Sequence, residues 1–134
     1  MNGNPLARKL GIEPDTRLGL IRAPDGFDAT LGQLPPEVDV RRRLGGAQFD
    51  VIVAFHARRT ELERRLPALA GALEPAGGLW IAWPKRASGV STDVTEDVVR
   101  DLGLAAGLVD NKVCAIDQVW SGLRLVYRLR DRPR

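Results

Sequence analysis

The run Phe49-Asp50-Val51-Ile52-Val53-Ala54-Phe55 constrains the fold more than any other stretch of the chain. Apart from Asp50 it is unbroken apolar sequence, so a strand here leaves almost no face for water. Strands buried on both faces belong to parallel sheets covered by helices. The following residues should supply such cover. Thr60 with Glu63 matches the reciprocal pattern in which a hydroxyl and an acid cap a helix start. Leu62, Leu66, Leu69 and Leu73 then recur at helical spacing. Pro67 should kink this helix or split it into two short pieces. Pro75-Ala76-Gly77-Gly78 should close it before a second buried strand, Leu79 to Trp83, on which Trp80 and Trp83 are placed to face different sides.

Upstream, Pro5 to Leu10 reads as a short helix ended by Gly11. Leu18 to Ile21 is a buried strand, stopped by the turn-forming Arg22-Ala23-Pro24-Asp25-Gly26. Phe27 to Leu34 reads as a short helix ended by Pro35-Pro36. Val38 to Leu44 begins as a strand and turns basic at Arg41-Arg42-Arg43, the mark of a sheet edge. Downstream, Asp93 with Glu96 repeats the capping pattern, and Val94, Val98 and Leu102 line one helical face up to Gly107. Strands at about Leu108 to Asp117 and Leu123 to Leu129 flank Gln118 to Gly122, which places Trp120 and Ser121 in a hairpin turn. This alternation predicts one three-layer α/β domain over residues 1–134, mostly parallel with a C-terminal antiparallel hairpin. Residues 1–4 and 131–134 are expected to fray.

Composition narrows the class further. At 134 residues, 44% hydrophobic and 28% charged, the chain can bury a core without staples. A single cysteine, Cys114, allows no internal disulfide and fits a reducing compartment; within an apolar strand it should be buried and inert. No apolar run approaches the roughly 20 residues of a membrane span. Met1 to Gly11 lacks the apolar core of a signal peptide, so a cytoplasmic location and no membrane partner are expected. The formal charge is +3, and 17 of the 20 basic residues are arginine, a bias that a GC-rich genome produces unaided. Arg124, Arg128, Arg130, Arg132 and Arg134 still make a basic tail able to meet nucleic acid, although only Tyr127 offers a nearby ring for stacking.

Ligands of open α/β sheets sit beyond the carboxyl ends of the parallel strands. That rule selects Pro24 to Phe27, His56 to Arg59 and Pro84 to Asp93. His56, the only histidine, is the candidate general base or ligand holder, although a lone polar residue at a strand end is more often structural. Lys85, Arg86, Ser88 and Thr92, with the helix start near Asp93, form a candidate anion site; Asp93 opposes it if it already occupies the cap. Asp110-Asn111-Lys112 interrupts a strand and marks a bulge, a rim or a solvent-facing edge. One histidine and one cysteine give no spaced metal-ligand set, and Gly45-Gly46 is too short to cradle a phosphate.

Two resemblances follow from these strings. The strand Phe49 to Phe55, the helix after it, and Leu73-Glu74-Pro75-Ala76-Gly77-Gly78-Leu79-Trp80-Ile81 are similar to the middle of Rossmann-like, S-adenosylmethionine-dependent methyltransferases. In that superfamily an "FDVV" strand leads to a helix, an "LKPGG" turn and an "LWI" strand. Trp83-Pro84-Lys85-Arg86 with Ser88, Thr92-Asp93, Gly107 to Val113 and Trp120-Ser121-Gly122-Leu123 resemble the DUF3052-type family of uncharacterised bacterial proteins, which implies no activity. The methyltransferase resemblance implies a glycine-rich loop after the first strand and an acidic residue ending the second. The chain offers Arg22-Ala23-Pro24-Asp25-Gly26 and Arg41-Arg42-Arg43 in those places. Asp39 lies early in its strand, and the chain is short for the usual third strand and helix. These departures count against methyl-donor binding.

The expected function is therefore a non-catalytic binding or regulatory domain on a reduced methyltransferase-like fold. Its candidate surface is Asp25, His56, Lys85, Arg86 and Ser88, with a protein or small-molecule partner; Asp25, Gly26, Lys85, Arg86 and Ser88 are the candidates for holding a cofactor. The alternatives are a divergent methyltransferase using S-adenosylmethionine and a nucleic-acid-associated basic protein.

Overall fold

The computed structural model describes residues 5–129. The expected fraying of 1–4 and 131–134, and the tail arginines Arg130, Arg132 and Arg134, lie outside them. In chain order the elements are α1 (Pro5–Leu10), β1 (Arg17–Ile21), α2 (Phe27–Leu31), β2 (Asp39–Arg41), β3 (Phe49–Phe55), α3 (Arg59–Gly71) and β4 (Leu73–Pro84). A 3-10 turn (Arg86–Ser88), α4 (Glu96–Ala105), β5 (Leu108–Ala115) and β6 (Trp120–Tyr127) complete the series. Six strands form one sheet in the order β2-β1-β3-β4-β6-β5. The first four are parallel, and β6 runs antiparallel to both β4 and β5.

The continuous apolar character of β3 has its expected consequence. Ile52 and Ala54 face a core shared with Leu62, Leu66 and Leu69 of α3 and Val99 of α4. Val51, Val53 and Phe55 face the opposite core, shared with Leu10 of α1 and Phe27 and Leu31 of α2. Trp83 and Trp80 divide in the same way between the two cores. Trp80 is fully buried, and its indole N–H donates to the Leu10 carbonyl at 3.0 Å, tying α1 to the sheet. Each fully buried Leu or Ile contributes roughly 1.5–3 kcal/mol. Among the described residues no helix is long and apolar enough to cross a membrane.

Several local expectations are corrected. Pro67 does not split its helix, because α3 runs unbroken from Arg59 to Gly71. Pro67 and Glu63 both face solvent, where water can take the carbonyl that the missing N–H leaves unpaired. Pro75 to Gly78 does not close a helix but belongs to β4, in a stretch paired with β3 alone, since β6 joins only from Leu79. The register slips here between Phe49 and Val51. A Cβ on Gly77 would stand 2.7 Å from the Asp50 carbonyl oxygen, so glycine is required by this close approach. Gly32, at φ 79°, ends α2 before the two prolines are reached. β2 leaves the sheet after Arg41 rather than at Leu44. Trp120 and Ser121 begin β6 instead of turning; the tighter turn is organised by Asp117, whose Oδ1 accepts the Val119 and Trp120 N–H groups at 2.8 Å each. The register with β6 shifts between Asp110 and Lys112 on the edge strand β5, where Asn111 and Lys112 are exposed. Cys114 is half-buried rather than enclosed, and that burial pushes its thiol pKa up.

Candidate functional site

The carboxyl ends of β1, β3 and β4 are neighbours along one sheet edge, and the loops after them carry the candidates. After β1, Arg22 takes a left-handed backbone with φ 59°. An L side chain pays roughly 1–2 kcal/mol for that region. The Arg22 guanidinium lies 3.3 Å from Glu61 Oε2 in the first turn of α3. The other Glu61 oxygen, Oε1, is 3.0 Å from His56 Nδ1 at the end of β3. A continuous polar chain, Arg22–Glu61–His56, thus joins β1, α3 and β3.

His56 is fully buried at its side chain, and its Nε2 has no hydrogen-bond partner among the described residues. Donation of the Nδ1 proton to Glu61 leaves Nε2 as a buried lone pair without a hydrogen-bond partner among the described residues. Protonating it would bury an N–H with no acceptor. Burial therefore lowers the His56 pKa below the usual 6.5, outweighing the opposing pull of Glu61. The His56 hydrogen bond in turn lowers the Glu61 carboxyl. A carboxylate-oriented imidazole has the makings of a general base, but its lone pair is sealed from any substrate. In this arrangement His56 acts as a latch.

Beside it lies a second latch. Thr92 Oγ1 donates to the Ala57 carbonyl at 2.6 Å, and Asp93 Oδ1 accepts the Arg59 N–H at 2.7 Å. Asp93 therefore caps α3, not the helix that follows it. Residue Arg58 at the α3 N-cap provides no side-chain bond, and the expected Thr60–Glu63 pair is not the cap. Helix α4 starts at Glu96 and is capped by Thr95, whose Oγ1 accepts the Val98 N–H at 3.2 Å. With Glu96 and Asp97 in its first turn, this helix start presents acids beside its free N–H groups.

The remaining candidates line the same edge. Asp25 is exposed in the turn before Gly26, which has φ 85° at the start of α2. Beneath that turn Phe27 is buried, edge-on to Phe55 at 4.8 Å, and Phe55 meets Trp120 at 5.1 Å. Lys85 is half-buried and Arg86 exposed. The Ser88 hydroxyl is used locally, donating to the Lys85 carbonyl and accepting the Val90 N–H. Asp39 opens β2 and pairs with Arg41 and Arg17, so the carboxyl end of that strand is left to Arg41 and Arg42. Arg124 lies across Gly78 in a cleft at the opposite sheet edge, while Arg128 is exposed. Among the described residues no three His, Cys, Asp or Glu side chains are grouped to hold a metal.

One grouping escaped the sequence reading. Arg64 and Arg65, on α3, meet Arg22, Arg42 and Arg43 across a cleft of about 530 Å³. The signal was the basic run at Arg41 to Arg43, but its partners lie on a helix read only for its leucine face.

Comparison with solved structures places this fold. Magnesium protoporphyrin IX methyltransferase from Synechocystis PCC 6803, solved with bound SAH, superposes with a TM-score of 0.60 and 10% identity, over 92% of this chain and 80% of that one. A putative methyltransferase from Thermoplasma acidophilum gives 0.61 and 8%, over 96% and 76%. Ribosomal protein L11 methylase from Lactobacillus delbrueckii subsp. bulgaricus gives 0.61 and 10%, over 92% and 75%. The chain therefore has a Rossmann-like methyltransferase fold. No protein-family model matches it, nor does any curated protein sequence.

Proposed function

We propose that this chain is a binding domain that keeps the methyltransferase fold without using a methyl donor. The observation that carries the reading is the Arg22–Glu61–His56 chain, which bridges the carboxyl ends of β1 and β3. A glycine-rich turn there would let backbone approach a cofactor; an arginine committed to an ion pair does not. The basic carboxyl end of β2 supports the same reading, since it has no acid to meet ribose hydroxyls. Asp25, Gly26, Lys85, Arg86 and Ser88 remain the proposed partner-facing surface, with His56 holding the loops beneath it. Membership of the DUF3052-type bacterial family and a cytoplasmic location belong to the same proposal, supported by the Trp83-Pro84-Lys85-Arg86 string and the single cysteine.

Thermal unfolding with and without S-adenosylhomocysteine tests this. A ligand held at about 100 times its Kd adds about 2.7 kcal/mol to the state that binds it. An unmoved midpoint is expected, and a rise of several degrees would overturn the proposal. The second reading, a divergent methyltransferase, is favoured by the structural neighbours, some of them solved with SAM or SAH bound. It requires the Arg22–Glu61 pair to open so that the donor can enter.

A further inference from the structure

The cleft between the end of β2 and α3 is walled on both sides by guanidinium groups. Arg22, Arg42 and Arg43 come from the strand ends, and Arg64 and Arg65 from the helix. Arg22 pairs with Glu61, and Arg42 pairs with Asp28 at 2.9 Å, yet both arginine side chains remain more than half exposed. No carboxylate among the described residues lies within ion-pair distance of Arg43, Arg64 or Arg65. All three are exposed.

Folding has thus gathered like charges that repel one another, with too few acids to offset them. Guanidinium groups present planar donor forks that match phosphate oxygens. The other lining residues, Ile21, Leu44 and Ala68, are aliphatic, so no ring is available to stack a base. The site reads charge, and its size is that of a small-molecule pocket.

We infer that this cleft binds a small, multiply phosphorylated ligand, through phosphates clasped between Arg42–Arg43 and Arg64–Arg65. This goes beyond the binding-domain reading, since the cleft shares no residue with the Asp25, Gly26, Lys85, Arg86 and Ser88 surface. The two can fail separately, because a response to S-adenosylhomocysteine bears on the methyl-donor question alone.

The test is calorimetric titration of the full chain with tripolyphosphate at low salt, for wild type, Arg43→Glu, Arg64→Glu and the control Arg128→Glu. Arg43→Gln and Arg64→Gln serve if a charge reversal disturbs folding, which circular dichroism reports. Saturable one-to-one binding is expected, weakened at least tenfold by either cleft reversal and less than twofold by the control. Absence of binding at millimolar tripolyphosphate overturns the inference. So does equal weakening by all three reversals, which would mean only net charge is felt. Tighter binding of a 20-base-pair DNA duplex, with a salt dependence reporting many phosphate contacts, also overturns it, in favour of nucleic acid.

Discussion

His56 offers a clean readout because it is the chain's only histidine. Its folded pKa lies below the usual 6.5, with burial as the main cause. Above pH 6.5 the ring is neutral in folded and unfolded chains alike, and its contribution to stability is fully present. As pH falls below 6.5 the unfolded chain takes up a proton that the folded chain refuses, so stability drops until the folded pKa is passed. The slope cannot exceed about 1.4 kcal/mol per pH unit for one proton. Glu61, also lowered, adds a loss only below about its usual 4.5. Urea unfolding at pH 7.5, 6.5 and 5.5 should show falling stability across the last interval for wild type and a flat profile for His56→Gln. Parallel profiles would show that the ring titrates freely.

At the scale of elements, α3 is held from outside itself. Asp93 accepts its first free N–H from 34 residues away, so Asp93→Ala should cost about 1 kcal/mol in urea unfolding, whereas Asp93→Asn should cost less. An Asp93→Ala variant as stable as wild type would mean that water caps the helix equally well. Helix α1 depends in the same way on the Trp80–Leu10 bond. Trp80→Phe leaves the Leu10 carbonyl unpaired in the core and should cost about 1–3 kcal/mol, read from the same unfolding curves. These two contacts mark what the sequence conceals. Continuous apolar runs disclosed β3 and the inner part of β4, because burial on both faces leaves no polar alternation to misread. Thr60–Glu63 and Asp93–Glu96 have the local spacing of caps, while the caps actually made depend on which loop lands beside which helix. Pro75 to Gly78 has the local look of a helix end for the same reason: its glycines answer to Asp50 and Arg124, across the fold.

For the molecule as a whole, the fold was legible through element order, and the candidate site was legible only as an edge. Asp25, His56, Lys85, Arg86 and Ser88 follow strands that end together, which topology alone dictates. The Glu61 bridge and the five-arginine cleft depend on α3 coming beside the residues that follow β1 and β2. In the proposed function the carboxyl ends of β1 and β3 are bridged by Arg22–Glu61–His56 and take no methyl donor. Calorimetric titration of the purified chain with S-adenosylmethionine addresses it most directly. No saturable heat up to millimolar donor is predicted. Saturable binding in the micromolar range would contradict the claim and return the chain to the divergent methyltransferases.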